Sequence, residues 1–264
     1  MTSEPNQNKK LFFLVAMPRS GNTLFASIMN QNKDLVVTAN SITLEIIKDL
    51  FLLKKTDVFQ NFQDHKSLDN VLSSVYDIFY KDWSQKVIID RGPVMTPGNF
   101  HLIKQYFKHP FKCIILVRDL MDVLASYIKW YTENPDAFPN KFNLKNDEEK
   151  LLKLMKIGGA VAKELDAIKN AYNYPDLCHF VKYDDMVTNP EKEFRKIYKF
   201  MEEPYFKHRF IDLDQINING LSYDDTVVGT NMHTVKKEKI EKKYNPYLEK
   251  IPQKLRDMYG HIRF

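Results

Sequence analysis

Four short apolar runs punctuate a chain that is otherwise mixed: Leu11–Met17, Lys86–Asp90, Lys112–Val117 and Cys178–Tyr183. None alternates cleanly between apolar and polar positions, as expected of parallel strands covered on both faces. Between them the apolar period lengthens to that of helices. Asn22–Asn30 sets Leu24, Ile28 and Met29 on one face, and Asp119–Tyr131 and Asp147–Tyr172 are further helices, the second opening with acids. Asn189-Pro190-Glu191 opens another, with a capping side chain, proline at the first helical position and an acid in the first turn; Phe194, Ile197 and Met201 give it a core face. Glu133–Asn146, rich in Asn and Pro, reads as a loop over the sheet. Strands alternating with helices predict an α/β fold: an open parallel β-sheet flanked by helices, with ligands at the carboxyl ends of the strands.

Composition adjusts this picture modestly. With 264 residues, 44% of them hydrophobic, and no Pro-, Gly- or Ser-rich divider, the chain reads as one domain over residues 11–264 behind a flexible polar N-terminus, residues 1–10. A net charge of +5, with lysines interleaved among acids, gives little support for a nucleic-acid partner and suits a local basic pocket for a small anion. Leu11–Met17 is too short to span a bilayer and ends in Pro-Arg rather than a small-residue cleavage site, so neither membrane insertion nor a signal peptide is expected. Cys113 and Cys178 fall in or beside apparent strands and read as buried reduced thiols. The expectation is a cytoplasmic protein.

The candidate chemistry begins where the first strand meets its helix, in LVAMPRSGNTLF, Leu14 to Phe25. A strand, a tight turn and a helix N-terminus make an anion site, because unpaired backbone N–H groups and the helix dipole converge there. Gly21 allows close approach, Ser20, Asn22 and Thr23 offer side-chain donors, and Arg19 adds a permanent charge in a fork geometry. No lysine precedes Thr23, so the metal-assisted phosphate loop of kinases is incomplete. A second signature lies in CIILVRDLMDVLASYIKW: Arg118 at a strand end, Asp122 in the first turn of the next helix, and Ser126 about two turns in.

Together these segments resemble the sulfotransferases that use 3′-phosphoadenosine 5′-phosphosulfate (PAPS). That family carries a P-x-[KR]-[ST]-G-[TSN]-T loop for the 5′-phosphosulfate and an R-[DN]-x-x-D-x-x-x-S segment for the 3′-phosphate. The matching residues are Pro18-Arg19-Ser20-Gly21-Asn22-Thr23, then Arg118-Asp119, Asp122 and Ser126. VKYDDMVTNPEKEF resembles the family's strand and its N-P-opened helix, which implies Tyr183 near the adenosine. MHTVKKEKIEKKYNPY resembles the basic segment that closes over the cofactor in tyrosylprotein and bacterial members, which implies Lys236 near the phosphosulfate or 3′-phosphate. Lys33–Ser84 and Glu133–Asn170 match poorly, so acceptor specificity is expected there. The resemblance implies PAPS as donor, no required metal, and a hydroxyl or amine acceptor whose class stays open among small molecules, glycans, lipid headgroups and peptides.

Arg19 and the loop amides are the candidates for stabilising the bridging oxygen. For the base, cytosolic members place a His before a Leu-Pro step. Here the stretch reads VIIDRGP, making Asp90 the lead base with Arg91 as its electrostatic partner, or the two a structural ion pair. Glu45 and His233 are further candidates. Trp83, Trp130 and Tyr131 could line an acceptor pocket or simply fill the core. Two rivals stand beside this reading: a metal-dependent P-loop small-molecule kinase, and a non-catalytic nucleotide-binding protein.

Overall fold

The structure, a computed structural model, describes residues 9–134, 144, 146–227, 232–235 and 237–264. Five parallel strands form the central sheet: β1 Lys10–Ala16, β2 Leu35–Val37, β3 Val87–Arg91, β4 Cys113–Val117 and β5 Cys178–Lys182. Their spatial order is β2-β3-β1-β4-β5. The four runs read from the sequence are β1, β3, β4 and β5, each shifted by a residue at most at either end. Continuous burial explains their lack of alternation: every residue of β1 after Lys10 and all of β4 are buried. β2 escaped the pattern because three residues are too few to show a period.

Helices α1 Asn22–Met29, α2 Thr43–Leu52, α3 Asp57–Asn61, α4 His65–Phe79, α5 Pro97–Tyr106 and α6 Leu120–Glu133 precede α7 Asp147–Met155 and α8 Ala160–Ala171. Then come α9 Tyr183–Thr188, α10 Pro190–Met201 and, after a small antiparallel pair β6 Asn217–Ile218 and β7 Leu221–Ser222, α11 Gln253–Tyr259. The long helix expected over Asp147–Tyr172 is corrected to two. α7 starts on an Asn146 cap that accepts from the Glu149 amide at 2.9 Å, and it stops where Gly158 takes a left-handed backbone, φ 77°. The expected Asn189 cap on α10 is also corrected: Pro190 opens the helix, but the Asn189 side chain makes no capping bond. Phe194, Ile197 and Met201 are its buried face, as the spacing predicts.

α6 continues through Glu133, and most of the loop expected over Glu133–Asn146 lies outside the described residues, as does the expected flexible N-terminus up to residue 8. Lys9 is tied down by donation to the Tyr80 carbonyl at 2.8 Å. Cys113 and Cys178 face each other across β4 and β5 as buried free thiols. Among the described residues, no helix is long and apolar enough to cross a membrane.

Candidate active site

Parallel strands deliver their carboxyl ends to one edge of the sheet, and the candidate residues collect there from β1, β3, β4 and β5. After β1 the chain reverses in a few residues because Arg19 and Gly21 both adopt left-handed backbone, φ 67° and 91°. For Arg19 such a conformation costs on the order of 1–3 kcal/mol and persists only when its surroundings hold it. They do: Arg19 Nε donates to Ser126 Oγ at 3.1 Å, Nη1 donates to the Met232 carbonyl at 2.9 Å, and its own carbonyl accepts from Arg118 Nη1 at 2.8 Å. The two sequence signatures are therefore bonded to each other.

Gly21 is the N-cap of α1, and neither Ser20 nor Asn22 caps the helix. A Cβ at Gly21 would lie 2.8 Å from Tyr183 Cδ2, so the glycine accommodates the Tyr183 ring as well as the turn. That ring also carries the Arg118 guanidinium, 4.2 Å from its centroid. Tyr183 thus sits against the loop itself. Asn22 turns inward and donates to the Met17 carbonyl at 3.1 Å, while Thr23 is half-buried. Asp119 caps α6 by accepting from the Met121 amide at 2.8 Å, which orients the helix that carries Ser126.

Three polar atoms of this cluster, Ser20 Oγ, Asn22 Oδ1 and Arg118 Nε, are buried with no hydrogen-bond partner among the described residues. Two are donors on the two anion-clamp segments, and leaving a donor unpaired costs about 1–3 kcal/mol. Burial, the largest influence, pushes the Arg19 pKa below its usual value; Tyr127 opposes this and Arg118 adds to it. A bound oxyanion would relieve both the unpaired donors and the crowded positive charge, so these residues fit a phosphate- or sulfate-bearing ligand.

The β3 end is built differently. Asp90 is 2% exposed, and its Oδ2 accepts from Thr43 Oγ1 at 2.6 Å, Tyr80 OH at 2.7 Å and Ser41 Oγ at 3.0 Å. Burial pushes its pKa up, against those three hydroxyls. Arg91 turns elsewhere: its Nη1 donates to the Ala39 carbonyl at 3.0 Å, with Asn40 Oδ1 at 3.3 Å and Tyr223 OH at 3.4 Å. The expected Asp90–Arg91 partnership is corrected accordingly, because successive residues of a strand point to opposite faces. Asp90 is a sequestered anchor for α2 and α4.

Over the β3 end lies the segment carrying His233. Its ring stacks on Tyr223 at 3.7 Å and 2°, and Nδ1 meets Asp225 Oδ1 at 2.5 Å. A carboxylate only accepts, so the proton belongs on Nδ1 and the lone pair on Nε2. Burial lowers the His233 pKa, against Asp225 and with help from Arg91 and Arg19. A cavity of about 240 Å³ opens here, lined by Tyr223, Asp225, His233, Gln215, Ile216 and Ser222 among others. Lys236 lies outside the described residues. Glu45 is half-exposed, with Lys163 at 3.9 Å. Trp130 and Tyr131 are core residues, and Trp83 is half-buried edge-on to Tyr80.

Three residues of this region went unnoticed in the sequence: Tyr127, Asp225 and Glu164. Glu164 had a signal. It falls three residues after Val161 and four before Ile168, on the buried stripe of α8, where an acid is out of place.

By fold the chain is a P-loop-containing α/β protein. It belongs to the sulfotransferase family, whose sulfotransferase domain model matches residues 9–259. Among solved structures it is similar to the sulfotransferase domain from the curacin biosynthetic pathway, with 17% identity, TM-score 0.52 and coverage of 97% of this chain and 92% of that one. It is also similar to mouse sulfotransferase SULT7A1 complexed with PAP, the 3′-phosphoadenosine 5′-phosphate product, at 13% identity, TM-score 0.56 and coverage of 97% and 83%. A third is the sulfotransferase domain from the Synechococcus PCC 7002 olefin synthase, at 12% identity, TM-score 0.55 and full coverage, 100% of both chains. At these identities the likeness is one of fold. No curated protein sequence matches the chain significantly. Nothing in these matches supports the kinase or the binding-only alternative.

Proposed function

We propose that the chain transfers the sulfuryl group of PAPS to a hydroxyl or amine, with Arg19, Ser20, Gly21, Asn22 and Thr23 holding the 5′-phosphosulfate and Arg118 and Ser126 the 3′-phosphate. The observation that carries this reading is the interlock of the two signatures: Arg19 bonded to Ser126 and Arg118 bonded to the Arg19 carbonyl, with unpaired buried donors on both segments. The donor supplies an activated sulfuryl group whose departure leaves negative charge on a 5′-phosphate. Arg19 and the amides at the start of α1 stabilise that charge, and losing one such donor typically costs about 2.7–4 kcal/mol of transition-state stabilisation. Tyr183, fixed between Gly21 and Arg118, orients the nucleotide, and Lys236 is the further cation proposed for it.

The acceptor enters at the β3 end, between α2, α8 and the segment around Tyr223 and His233. Arg91 reads its polar groups, His233 closes the entrance, and Asp90 braces the wall without meeting the acceptor. A sulfuryl group carries less negative charge than a phosphoryl group, so two arginines and backbone amides serve where a kinase uses a metal. Two buried free thiols suit a reducing, cytoplasmic setting.

Thermal unfolding with PAP, ADP and ATP plus Mg²⁺ tests the reading. At 100 times its dissociation constant a ligand adds about 2.7 kcal/mol of stability. PAP is expected to stabilise strongly and ADP weakly. Stabilisation by ATP with Mg²⁺ but not by PAP would replace the proposal with the kinase alternative.

A further inference from the structure

Glu164 is a carboxylate on the wrong face of its helix. α8 buries Val161, Leu165, Ile168 and Ala171, and Glu164 stands on the same stripe with its Oε2 buried and without a hydrogen-bond partner among the described residues. Its surroundings come from several elements. Arg91 at the end of β3, Lys163 beside it and Glu45 on α2 act on its charge. In turn its charge acts on Tyr127 of α6 and on Cys113 of β4. Tyr127 is also influenced by Arg19 and Arg91. The buried Tyr127 hydroxyl thus feels the charges of the donor-side Arg19, the acceptor-side Arg91 and Glu164 together. Arg91 does not neutralise Glu164 through a direct bond, since its Nη1 is directed to the neutral acceptors on Ala39, Asn40 and Tyr223.

We propose that Glu164 is the general base of the transfer. Its carboxylate takes the acceptor's proton as the acceptor oxygen bonds to sulfur; the bond from sulfur to the 5′-phosphate oxygen breaks, and that oxygen keeps the electron pair beside Arg19. The assignment rests on the PAPS reading above. Three features favour Glu164 over the other candidates. Asp90 Oδ2 already accepts from three hydroxyls, and the residue is 2% exposed. Glu45 is half-exposed beside Lys163. Glu164 has a fully buried oxygen with no hydrogen-bond partner among the described residues, and the acceptor-side Arg91 acts on its charge. Burial pushes its pKa up to about 7, with Glu45 adding to the shift and Arg91 and Lys163 opposing it. A base that ionises near neutrality matches the transfer's demand.

The test pairs binding with turnover in the wild-type chain, Glu164→Gln and His233→Ala. PAP-induced thermal stabilisation reports the donor site and the fold. Release of labelled sulfuryl from [³⁵S]PAPS, to a panel of phenols, alkanols and sugars or to water, reports the chemistry across pH. The wild-type rate should rise with pH through about 7 and then level. In Glu164→Gln that limb should vanish and the rate fall on the order of 10²–10⁴-fold, with the PAP effect intact. Failure of PAP to stabilise the wild type would sink the donor reading itself. With PAP binding intact, two outcomes overturn the base assignment alone: a wild-type rate in Glu164→Gln, or a limb that disappears only in His233→Ala; a wild-type chain inert toward every acceptor including water would overturn the transfer proposal together with it.

Discussion

On the β1–β4 side of the cleft the polar groups hold one another: Arg19 reaches Ser126, Arg118 reaches the Arg19 carbonyl, and Tyr183 packs between Gly21 and Arg118. On the β3 side they are held by other parts of the molecule. Asp90 is occupied by α2 and α4, Arg91 by Ala39 and Tyr223, His233 by Asp225, and Glu164 has an oxygen with no partner. The first arrangement is a mutually bonded cluster that suits the proposed donor site. The second is an assembly of distant elements, joined to the first through the bond from Arg19 to the Met232 carbonyl.

Substitutions should accordingly separate by side. The largest effect falls on Arg19→Ala, which should lower turnover by roughly 10²–10³-fold through loss of charge stabilisation at the leaving oxygen. Single-turnover kinetics with [³⁵S]PAPS measures it, and an unchanged rate would move that role elsewhere. Next is a property of the packing behind the donor seat. His208, 6% exposed among aromatic rings, has its pKa lowered to about 4 from 6.5, chiefly by burial. A depressed histidine is neutral in both states above its unfolded value, so it contributes nothing at pH 7. As pH falls from 6.5 toward 4 the unfolded chain protonates first, and stability should drop by about 3 kcal/mol. Urea titrations from pH 7 to pH 4 should show this drop, reduced in His208→Phe; an identical pH profile in the variant would contradict it.

Asp90→Ala should cost about 1–3 kcal/mol of stability by leaving the hydroxyls of Ser41, Thr43 and Tyr80 without their acceptor. PAP affinity should survive wherever the fold does, which calorimetry of the variant would check. The smallest expected change is Gly21→Ala. Its left-handed backbone and the 2.8 Å approach to Tyr183 should cost about 1 kcal/mol or somewhat more. PAP affinity should weaken with it, because the displaced ring supports Arg118.

The same contrast explains what the sequence made legible. The donor seat is a property of chain segments: a strand, a turn and a helix start fix the backbone amides, and the side chains that matter lie within a few positions of strand ends. Arg19, Gly21, Arg118, Ser126 and Tyr183 could therefore be read as motifs. The sheet followed from its continuous apolar runs, apart from the three-residue β2. The acceptor side has no such local rule. Asp90 looked like a base because it stands where cytosolic members place a His, with Arg91 beside it, yet strand pleating sends the two apart and three hydroxyls from distant positions claim the carboxylate. His233 gained its partner Asp225 through a fold of the late segment that no periodicity announces. Glu164 was visible only as an acid on an apolar stripe, a signal whose meaning depends on knowing what α8 packs against.

Calorimetric titration of PAP and ADP into the wild-type chain, Arg118→Ala and Glu164→Gln tests the division most directly. The account predicts that PAP binds the wild type and Glu164→Gln alike and more tightly than ADP. In Arg118→Ala, PAP affinity should fall at least about tenfold, the equivalent of losing a charge-assisted hydrogen bond, and the preference over ADP should collapse. Equal affinities of PAP and ADP for the wild type, or equal losses in both variants, would contradict it.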